Sequence, residues 1–141
     1  MKIAFLTAGG IAPCLSASIG ALIESYNDLA PEAELLGYLH GYRGLLLGIK
    51  IVILASVLEK TDILYEYGGS SSGKSRVKLT NAENCIKRGY IKKGEDPLKV
   101  AANQLMKDGI NILHTIGGDD TNTMAAQLSF YLKENNYNLT V

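Results

Sequence analysis

Short apolar segments alternate with segments of helical periodicity along this chain, and this alternation is the strongest constraint on its fold. The apolar segments have the length of strands, and they cover residues 2–8, 33–39, 49–54 and 110–116. The first helical pattern follows at Leu15, Ile19 and Ile23, which are spaced about one turn apart. Strands that alternate with helices form a parallel sheet with helices on its faces. The sequence therefore predicts an α/β fold with a mostly parallel sheet and helices on both faces.

Capping signals predict where several helices begin and end. Residues 56–59 and 80–83 each match the capping box, in which Ser or Thr is followed three positions later by Glu. Asp96 before Pro97 predicts another helix start, and Gly109 predicts the end of that helix. These signals place helices between the last two predicted strands.

The composition limits the classes of function. The chain has 141 residues, of which 47% are hydrophobic, and this suits one domain with a sizeable core. Because 14 basic residues balance 14 acidic ones, no overall field favours nucleic acid or an anionic membrane. Cys14 and Cys85 form no C-x-x-C pair, and the first apolar run reaches glycine too early for a signal peptide. We therefore expect a cytoplasmic protein without a nucleic-acid or membrane partner.

Residues 68–75, GGSSSGKS, match the phosphate-loop pattern G-x-x-x-x-G-K-[ST]. A phosphate loop lies between a strand and an immediately following helix, whose N-terminus binds phosphate. Here a predicted helix precedes Gly68, so that glycine fits a left-handed C-cap, and residues 76–80 separate the motif from the next helix. Three interpretations remain: a true phosphate loop, which this context disfavours; a flexible Gly/Ser turn; or a basic turn whose Lys74 and Arg76 face an anion bound elsewhere.

Two other glycine turns directly follow predicted strands, where ligands bind in open α/β sheets. In LTAGGIAPC, residues 6–14, Gly9 and Gly10 allow a ligand to approach the backbone, and the following helix N-terminus favours an anion. The same residues are equally consistent with a tight strand-to-helix turn that binds nothing.

The second of these turns, HTIGGDDTNTM at residues 114–124, places two adjacent carboxylates after a glycine pair that allows close approach of a ligand. Asp119 and Asp120 suit a hard cation such as Mg²⁺ that bridges to phosphate oxygens. Alternatively, one of them caps the following helix and the other complements its dipole. Their spacing alone does not decide between these interpretations.

Four stretches together resemble one family in colinear order. They are LTAGGIAPC, GYLHGYRGLLLG (residues 37–48), GGSSSGKSRVKLTN (68–81) and DPLKVAANQLMKDGINILHTIGGDDTNTMAAQL (96–128). These stretches are similar to the N-terminal part of 6-phosphofructokinases, and most similar to the pyrophosphate-dependent group. The resemblance implies that residues 1–141 form the N-terminal, phosphoryl-donor-binding domain of such an enzyme, and that this domain is incomplete.

The resemblance also implies the functional residues. Those expected to bind the phosphoryl donor are Gly10, Arg76, Gly118, Asp119, Asp120 and Thr121. Asp119 matches the family's Mg²⁺ ligand. Asp120 matches the aspartate of members that use pyrophosphate, where ATP-dependent members usually carry glycine. Its carboxylate would occupy and repel the position of a nucleotide's α-phosphate.

The reaction that the resemblance implies is transfer of a phosphoryl group from pyrophosphate to the 1-hydroxyl of fructose 6-phosphate, giving fructose 1,6-bisphosphate. Mg²⁺ is the implied cofactor, and catalysis is mostly positioning and charge stabilisation. A Pro-Lys-Thr-Ile-Asp-Asn-Asp motif, which carries the family's general base, is absent from residues 1–141. We therefore expect an N-terminal fragment that is inactive alone, and a homo-oligomer for the complete enzyme. Two alternatives stay open: an ATP-dependent 6-phosphofructokinase, and a non-catalytic phosphate-binding or regulatory module.

Overall fold

A four-stranded sheet organises the fold in the computed structural model, which describes residues 1–9, 14–73 and 75–141. The strands are β1 (Lys2–Ala8), β2 (Glu34–Tyr38), β3 (Lys50–Ile53) and β4 (Ile112–Gly117). Their order in the sheet is β3-β2-β1-β4. β1 is interior and pairs in parallel with both β2 and β4, so that Ile3 lies opposite Leu35 on one side and Ile112 on the other.

Helices connect these strands throughout the described residues. They are α1 (Leu15–Leu29), α2 (Tyr42–Leu47), α3 (Thr61–Glu66), α4 (Ala82–Lys87), α5 (Pro97–Asp108) and α6 (Asp119–Glu134), and a 3-10 helix at Ala55–Lys60 precedes α3. The longest of them, α1 and α6, have 15 and 16 residues. In the parts of the chain that the structure describes, no helix combines the length and the apolar character that crossing a membrane requires.

The side chains of β1 place helices on both faces of the sheet. Ile3 and Phe5 are buried against α1 and α3. Ala4 and Leu6 are buried in a larger cluster with α2, α4, α5 and α6. Because successive side chains of a strand point to opposite faces, a strand covered on both sides is expected to be mostly apolar, as β1 is. The predicted α/β fold, with a mostly parallel sheet between two layers of helices, is confirmed.

β3 departs from the parallel arrangement because it runs antiparallel to β2. A parallel crossover needs roughly a dozen residues or more, and the connection between Tyr38 and Lys50 is shorter. It holds α2, a helix that the sequence patterns did not predict. Leu39 N–H donates to the Ile49 carbonyl at 3.0 Å, and Gly48 takes a φ of +69°, which reverses the chain after α2.

The boundary signals of α5 are confirmed. Asp96 Oδ1 accepts a hydrogen bond from Leu98 N–H at 3.1 Å, Pro97 is in the first turn, and Gly109 ends the helix with a φ of +71°. For α4 the cap is one residue later than residues 80–83 predict. Asn81 is the N-cap, because its side-chain oxygen accepts from an N–H of the first turn.

The capping box predicted at residues 56–59 is wrong. Ala55–Lys60 is a 3-10 helix, and α3 begins at Thr61 without a hydrogen bond from a capping side chain. Val57 N–H donates to the Leu54 carbonyl at 2.9 Å, so the helical turn already begins before the predicted cap. A capping residue must precede its helix, whereas Ser56 lies within the 3-10 helix.

A buried carboxylate ties the end of α5 to the β2–β3 pair. The Asp108 side chain is only 6% exposed. Its oxygens accept hydrogen bonds from the Tyr38 hydroxyl at 2.7 Å, from Gln104 Nε2 at 2.9 Å and from Lys50 Nζ at 2.7 Å. Burial by itself raises the pKa of Asp108, but these donors outweigh it and hold the pKa below its ordinary value.

Replacement of Asp108 by asparagine should destabilise the fold in a pH-dependent way. Because the folded pKa lies below the unfolded one, the carboxylate stabilises the fold above the unfolded pKa of about 4, and this contribution is lost as the pH falls through the folded pKa. We expect Asp108→Asn to lower the free energy of unfolding by about 1–3 kcal/mol at pH 7. Urea unfolding at steps from pH 7 to pH 3 should show this difference shrinking. Glu134→Gln, on the exposed end of α6, is the control, and a pH-independent Asp108→Asn difference would contradict the expectation.

Candidate functional site

A cleft of about 550 Å³ lies where the carboxyl ends of β1 and β4 meet. The end of β1 and the first turn of α6 form one side of it, and residues 75–78 form the other. Five of the six residues expected at the donor site line this cleft: Arg76, Gly118, Asp119, Asp120 and Thr121. Gly10 and Lys74 lie outside the residues that the structure describes.

The two glycines between β4 and α6 have different roles. A Cβ atom at Gly117 would collide with the carbonyl oxygen of Ala8 and with the side chain of Thr121. Gly117 therefore permits close packing of the chain on β1 rather than approach of a ligand. A Cβ atom at Gly118 would meet nothing within 4 Å, so only this second glycine is open toward the cleft.

Thr121 joins the start of α6 to β1. The residue is 2% exposed, and its hydroxyl donates to the Ala8 carbonyl at 2.9 Å. The Tyr42 hydroxyl donates to the Thr121 carbonyl at 3.0 Å, and burial raises the pKa of Tyr42 well above its ordinary value, so this donor stays neutral. The Thr121 side chain is thus engaged within the protein. Thr121 can therefore contact a ligand in the cleft through its backbone and not through its hydroxyl.

Asp119 and Asp120 are the first two residues of α6, and both are exposed. The N-cap is Gly118, and no side chain caps the helix, so the capping role considered for either aspartate is wrong. The first N–H groups of an α-helix have no partner within the helix and favour anions. The start of α6 therefore combines backbone donors with two carboxylates at the edge of one cleft.

The Gly/Ser turn at residues 68–73 does not act as a phosphate loop. Ser71 N–H donates to Ser16 Oγ at 3.1 Å, and the Gly73 and Gly69 N–H groups donate to carbonyls of neighbouring residues. These amides are therefore engaged within the protein. The next helix, α4, begins only at Ala82. With these three amides engaged and no helix N-terminus adjoining it, the turn lacks the cradle that binds phosphate in such loops.

The cap assigned to Gly68 is also wrong. α3 ends at Glu66, and its C-cap is Tyr67 in an extended conformation. Gly68 is not among the glycines with positive φ, whereas Gly73, at the far end of the turn, has a φ of +73°. Gly73 therefore reverses the chain. Its carbonyl accepts a hydrogen bond from the Thr7 hydroxyl, and a Cβ atom at this position would collide with the His40 ring.

Thr7 anchors this turn to the end of β1. Its side chain is completely buried, and its hydroxyl lies 2.6 Å from Ser70 Oγ and 2.8 Å from Ser72 Oγ. The same hydroxyl donates to the Gly73 carbonyl at 3.1 Å. Just beyond the turn, Ser75 Oγ donates to the His40 carbonyl at 2.6 Å. These contacts hold the segment that follows the turn against the cleft.

Arg76 and Lys78 form a basic wall of the cleft. They alternate with Val77 and Leu79, which are buried in the core. Since side chains of an extended chain point alternately to opposite sides, both cations lie on the open side. Lys78 Nζ is 3.4 Å from Asp120 Oδ1 across the cleft. The sequence motifs indicated Lys74 and Arg76 as basic residues of this segment, although the two-residue alternation in RVKL could have indicated Lys78 as well.

The carboxylates suit a metal that is shared with a ligand. Among the residues described here, no group of three or more His, Cys, Asp or Glu side chains could hold an ion by itself. Mg²⁺ is usually bound through one or two carboxylates, several waters and phosphate oxygens of a substrate. Asp119 and Asp120, exposed side by side on the cleft, fit that arrangement and not a cage made by the protein alone.

A family comparison agrees with the motifs around the cleft. The model of the phosphofructokinase family matches residues 2–139. The chain belongs to the phosphofructokinase family.

Several relatives within the phosphofructokinase family carry the same activity in their names. The pyrophosphate–fructose 6-phosphate 1-phosphotransferase of Methylomonas methanica is 59% identical over 140 residues, which are 99% of this chain and 34% of that protein. The protein of that name from Mastigamoeba balamuthi is 53% identical over 139 residues, again 99% of this chain and 34% of the relative. The chain thus spans about a third of the length of these curated relatives.

Solved phosphofructokinases share the fold. The pyrophosphate-dependent phosphofructokinase from Marinobacter aquaeolei superimposes with a TM-score of 0.75 at 17% identity, covering 99% of this chain and 32% of that one. Pichia pastoris phosphofructokinase in the T-state superimposes with a TM-score of 0.77 at 20% identity, covering 99% of this chain and 14% of that one. At such low identity the likeness is one of fold alone.

The Thr7 hydroxyl should be needed to hold the Gly/Ser turn. Thr7→Val keeps the shape of the side chain but leaves its partners Ser70 and Ser72 without this hydrogen bond. We expect a loss of about 1–3 kcal/mol in the free energy of unfolding, measured by urea denaturation, and faster proteolysis within residues 69–76. Thr7→Ser retains the hydroxyl and should remain close to the unaltered chain. Equal behaviour of the two variants would show that the hydroxyl does not anchor the turn.

Alanine variants of Gly117 and Gly118 test whether the first glycine is needed for close packing and the second faces open space. Gly117→Ala should cost about 3 kcal/mol or more, because the added methyl group collides with backbone that cannot move aside. Gly118→Ala should change stability by no more than about 1 kcal/mol, because its surroundings are open and its φ of −88° suits alanine. Thermal unfolding of both variants measures the difference. The assignment fails if Gly118→Ala is the more destabilised of the two.

Proposed function

We propose that residues 1–141 form the phosphoryl-donor-binding part of a cytoplasmic, homo-oligomeric phosphotransferase. Its reaction would transfer a phosphoryl group from pyrophosphate to the 1-hydroxyl of fructose 6-phosphate, and the product would be fructose 1,6-bisphosphate. The observation that carries this proposal is the cleft itself, in which uncapped helix amides and two carboxylates face a basic wall. The names of the relatives that are 53% and 59% identical supply the donor and the acceptor.

The donor anion would bind between the start of α6 and residue Arg76. Backbone N–H groups of residues 119–121 have no acceptor within the helix and suit phosphate oxygens. Gly118 leaves room for the anion to approach the backbone. Arg76, exposed on the opposite wall, can pair with phosphate through two parallel N–H groups. These groups would orient the donor and stabilise the charge that shifts during transfer.

We propose Asp119 as the residue that holds Mg²⁺ against the donor phosphates. Its carboxylate is exposed at the first position of α6, next to the amides that would bind the anion. When bound, Mg²⁺ supplies neutralisation of the negative charge on the phosphate oxygens. Asp120, whose carboxylate is paired with Lys78, is proposed as a determinant of donor choice and not as a metal ligand.

The transfer step itself is an in-line displacement at phosphorus. The oxygen of the sugar 1-hydroxyl forms a bond to one phosphorus of pyrophosphate, the bridging P–O bond breaks, and inorganic phosphate leaves. The hydroxyl proton passes to a general base that we do not assign to residues 1–141. The contribution of these residues is to hold the donor, which places the reacting phosphorus and lowers the entropic cost of the reaction.

Pyrophosphate is favoured over ATP as the donor. A carboxylate at Asp120 would clash with and repel a third phosphate group, while a diphosphate still fits. An ATP-dependent 6-phosphofructokinase 2 from Clostridium perfringens is related, but it is only 35% identical over 129 residues, covering 91% of this chain and 34% of that protein. The two relatives from Methylomonas methanica and Mastigamoeba balamuthi, which are named for pyrophosphate, are more similar to this chain, at 59% and 53% identity.

A hybrid enzyme tests the proposal. This chain replaces the matching third of the Methylomonas methanica relative, and phosphorylation of fructose 6-phosphate is measured with pyrophosphate and with ATP. We expect turnover with pyrophosphate and Mg²⁺, and little with ATP. Asp120→Gly should raise the ratio of kcat/KM for ATP over pyrophosphate by about tenfold or more, which corresponds to about 1.4 kcal/mol. Asn122→Gly, which weakens the same helix outside the cleft, is the control for helix stability.

Two results would contradict the proposal. Equal use of both donors by the unaltered hybrid would contradict the assignment of pyrophosphate as the donor. If Asp120→Gly and Asn122→Gly left the donor ratio equally unchanged, Asp120 would not select the donor.

A further inference from the structure

We propose that Lys78 is a second determinant of donor binding, and that it acts by neutralising the carboxylate of Asp120. The inference rests on the proposed function of the cleft. It concerns a side chain to which neither the motifs nor the comparisons assign a role.

The backbone around Lys78 is firmly held. Its carbonyl accepts a hydrogen bond from Asn81 N–H at 3.0 Å and a second one from Cys85 Sγ at 3.7 Å. Its neighbours Val77 and Leu79 are 7% and 0% exposed in the core. With the chain fixed on both sides, the Lys78 side chain is directed to the cleft by the packing of its neighbours and not by its contact with Asp120.

The ion pair has little consequence for stability. Lys78 Nζ and Asp120 Oδ1 are 3.4 Å apart, and the two side chains are 57% and 80% exposed. Exposed pairs of this kind contribute little to folding, because water and salt screen them. The importance of the pair is therefore local: it sets the charge of the cleft wall that a donor meets.

That local charge matters because Asp120 shares the cleft with a polyanion. A carboxylate that excludes a third phosphate group also repels the diphosphate that should bind. The ammonium group on the opposite wall offsets this repulsion. Lys78 would thus allow Asp120 to select a short donor without weakening the binding of that donor.

Binding of pyrophosphate to the 141-residue chain tests this inference. Isothermal titration calorimetry with pyrophosphate and Mg²⁺ is carried out on the unaltered chain, Lys78→Met, Asp120→Asn and the double variant. We expect Lys78→Met to weaken binding by about tenfold, because the repulsion between the Asp120 carboxylate and pyrophosphate is then no longer offset. In the Asp120→Asn background the same change should weaken binding by less than about threefold, because the carboxylate that Lys78 neutralises is gone.

Two further variants control for charge and folding. Lys99→Met removes an exposed lysine on α5, away from the cleft, and should leave pyrophosphate binding unchanged. Lys78→Arg retains the positive charge and should bind nearly as the unaltered chain does. Circular dichroism and thermal unfolding of Lys78→Met should match those of the unaltered chain, since the pair is exposed.

The outcomes separate the two proposals. If the unaltered chain binds pyrophosphate and Lys78→Met binds equally well, the donor site stands and the role of Lys78 is overturned. Equal losses with and without the Asp120 carboxylate also overturn it, because Lys78 would then act independently of Asp120. If the unaltered chain does not bind pyrophosphate, the donor site itself is overturned, and the inference with it.

Discussion

The hydrogen bond from the Thr121 hydroxyl to the Ala8 carbonyl holds the start of α6 against the end of the interior strand. This contact is possible only because Gly117 has no side chain, since a Cβ atom there would collide with both groups. Gly9 also packs closely against Thr121, because a Cβ atom added at Gly9 would lie 3.0 Å from Thr121 Oγ1. The position of the helix amides and of Asp119 and Asp120 relative to β1 depends on this close packing.

The two last residues of β1 support the two walls of the cleft. Ala8 receives the bond from α6, whereas Thr7 points to the other face and binds the Gly/Ser turn through Ser70, Ser72 and Gly73. The turn leads directly into the segment that carries Arg76 and Lys78. One strand end therefore sets the distance between the anion-binding amides and the cations opposite. The Gly/Ser turn, which resembles a phosphate loop in sequence, serves as a support for the basic wall.

The sequence predicted those elements whose signals are local. β1, β4 and α5 were correctly predicted, because an apolar run, or Asp96, Pro97 and Gly109 at the helix ends, acts through neighbouring residues. The antiparallel direction of β3 and the helix α2 were not predicted. They depend on contacts such as that between Leu39 and Ile49, which no local pattern shows.

The candidate site likewise combines residues that the sequence predicted with features that depend on the fold. Asp119 and Asp120 were found from the sequence because they follow a strand and a glycine pair, and the family resemblance added Arg76. The sequence could not predict that Gly117 is needed for close packing while Gly118 faces open space. Two adjacent glycines are distinguished only by their neighbours in the folded structure. The pairing of Lys78 with Asp120 joins two distant segments and depends on the fold.

The most direct test of the donor cleft is a titration of the ¹⁵N-labelled chain with pyrophosphate and Mg²⁺, followed through the backbone amide resonances. If the donor binds in this cleft, the largest shifts should belong to Gly118–Thr121 at the start of α6, with smaller ones at Arg76 and Lys78. We expect the resonances of Gly69, Ser71 and Gly73 to change little, because the amides of these residues are engaged within the protein. Shifts concentrated in residues 69–73, or no shifts at the start of α6, would show that the donor does not bind between α6 and the basic wall.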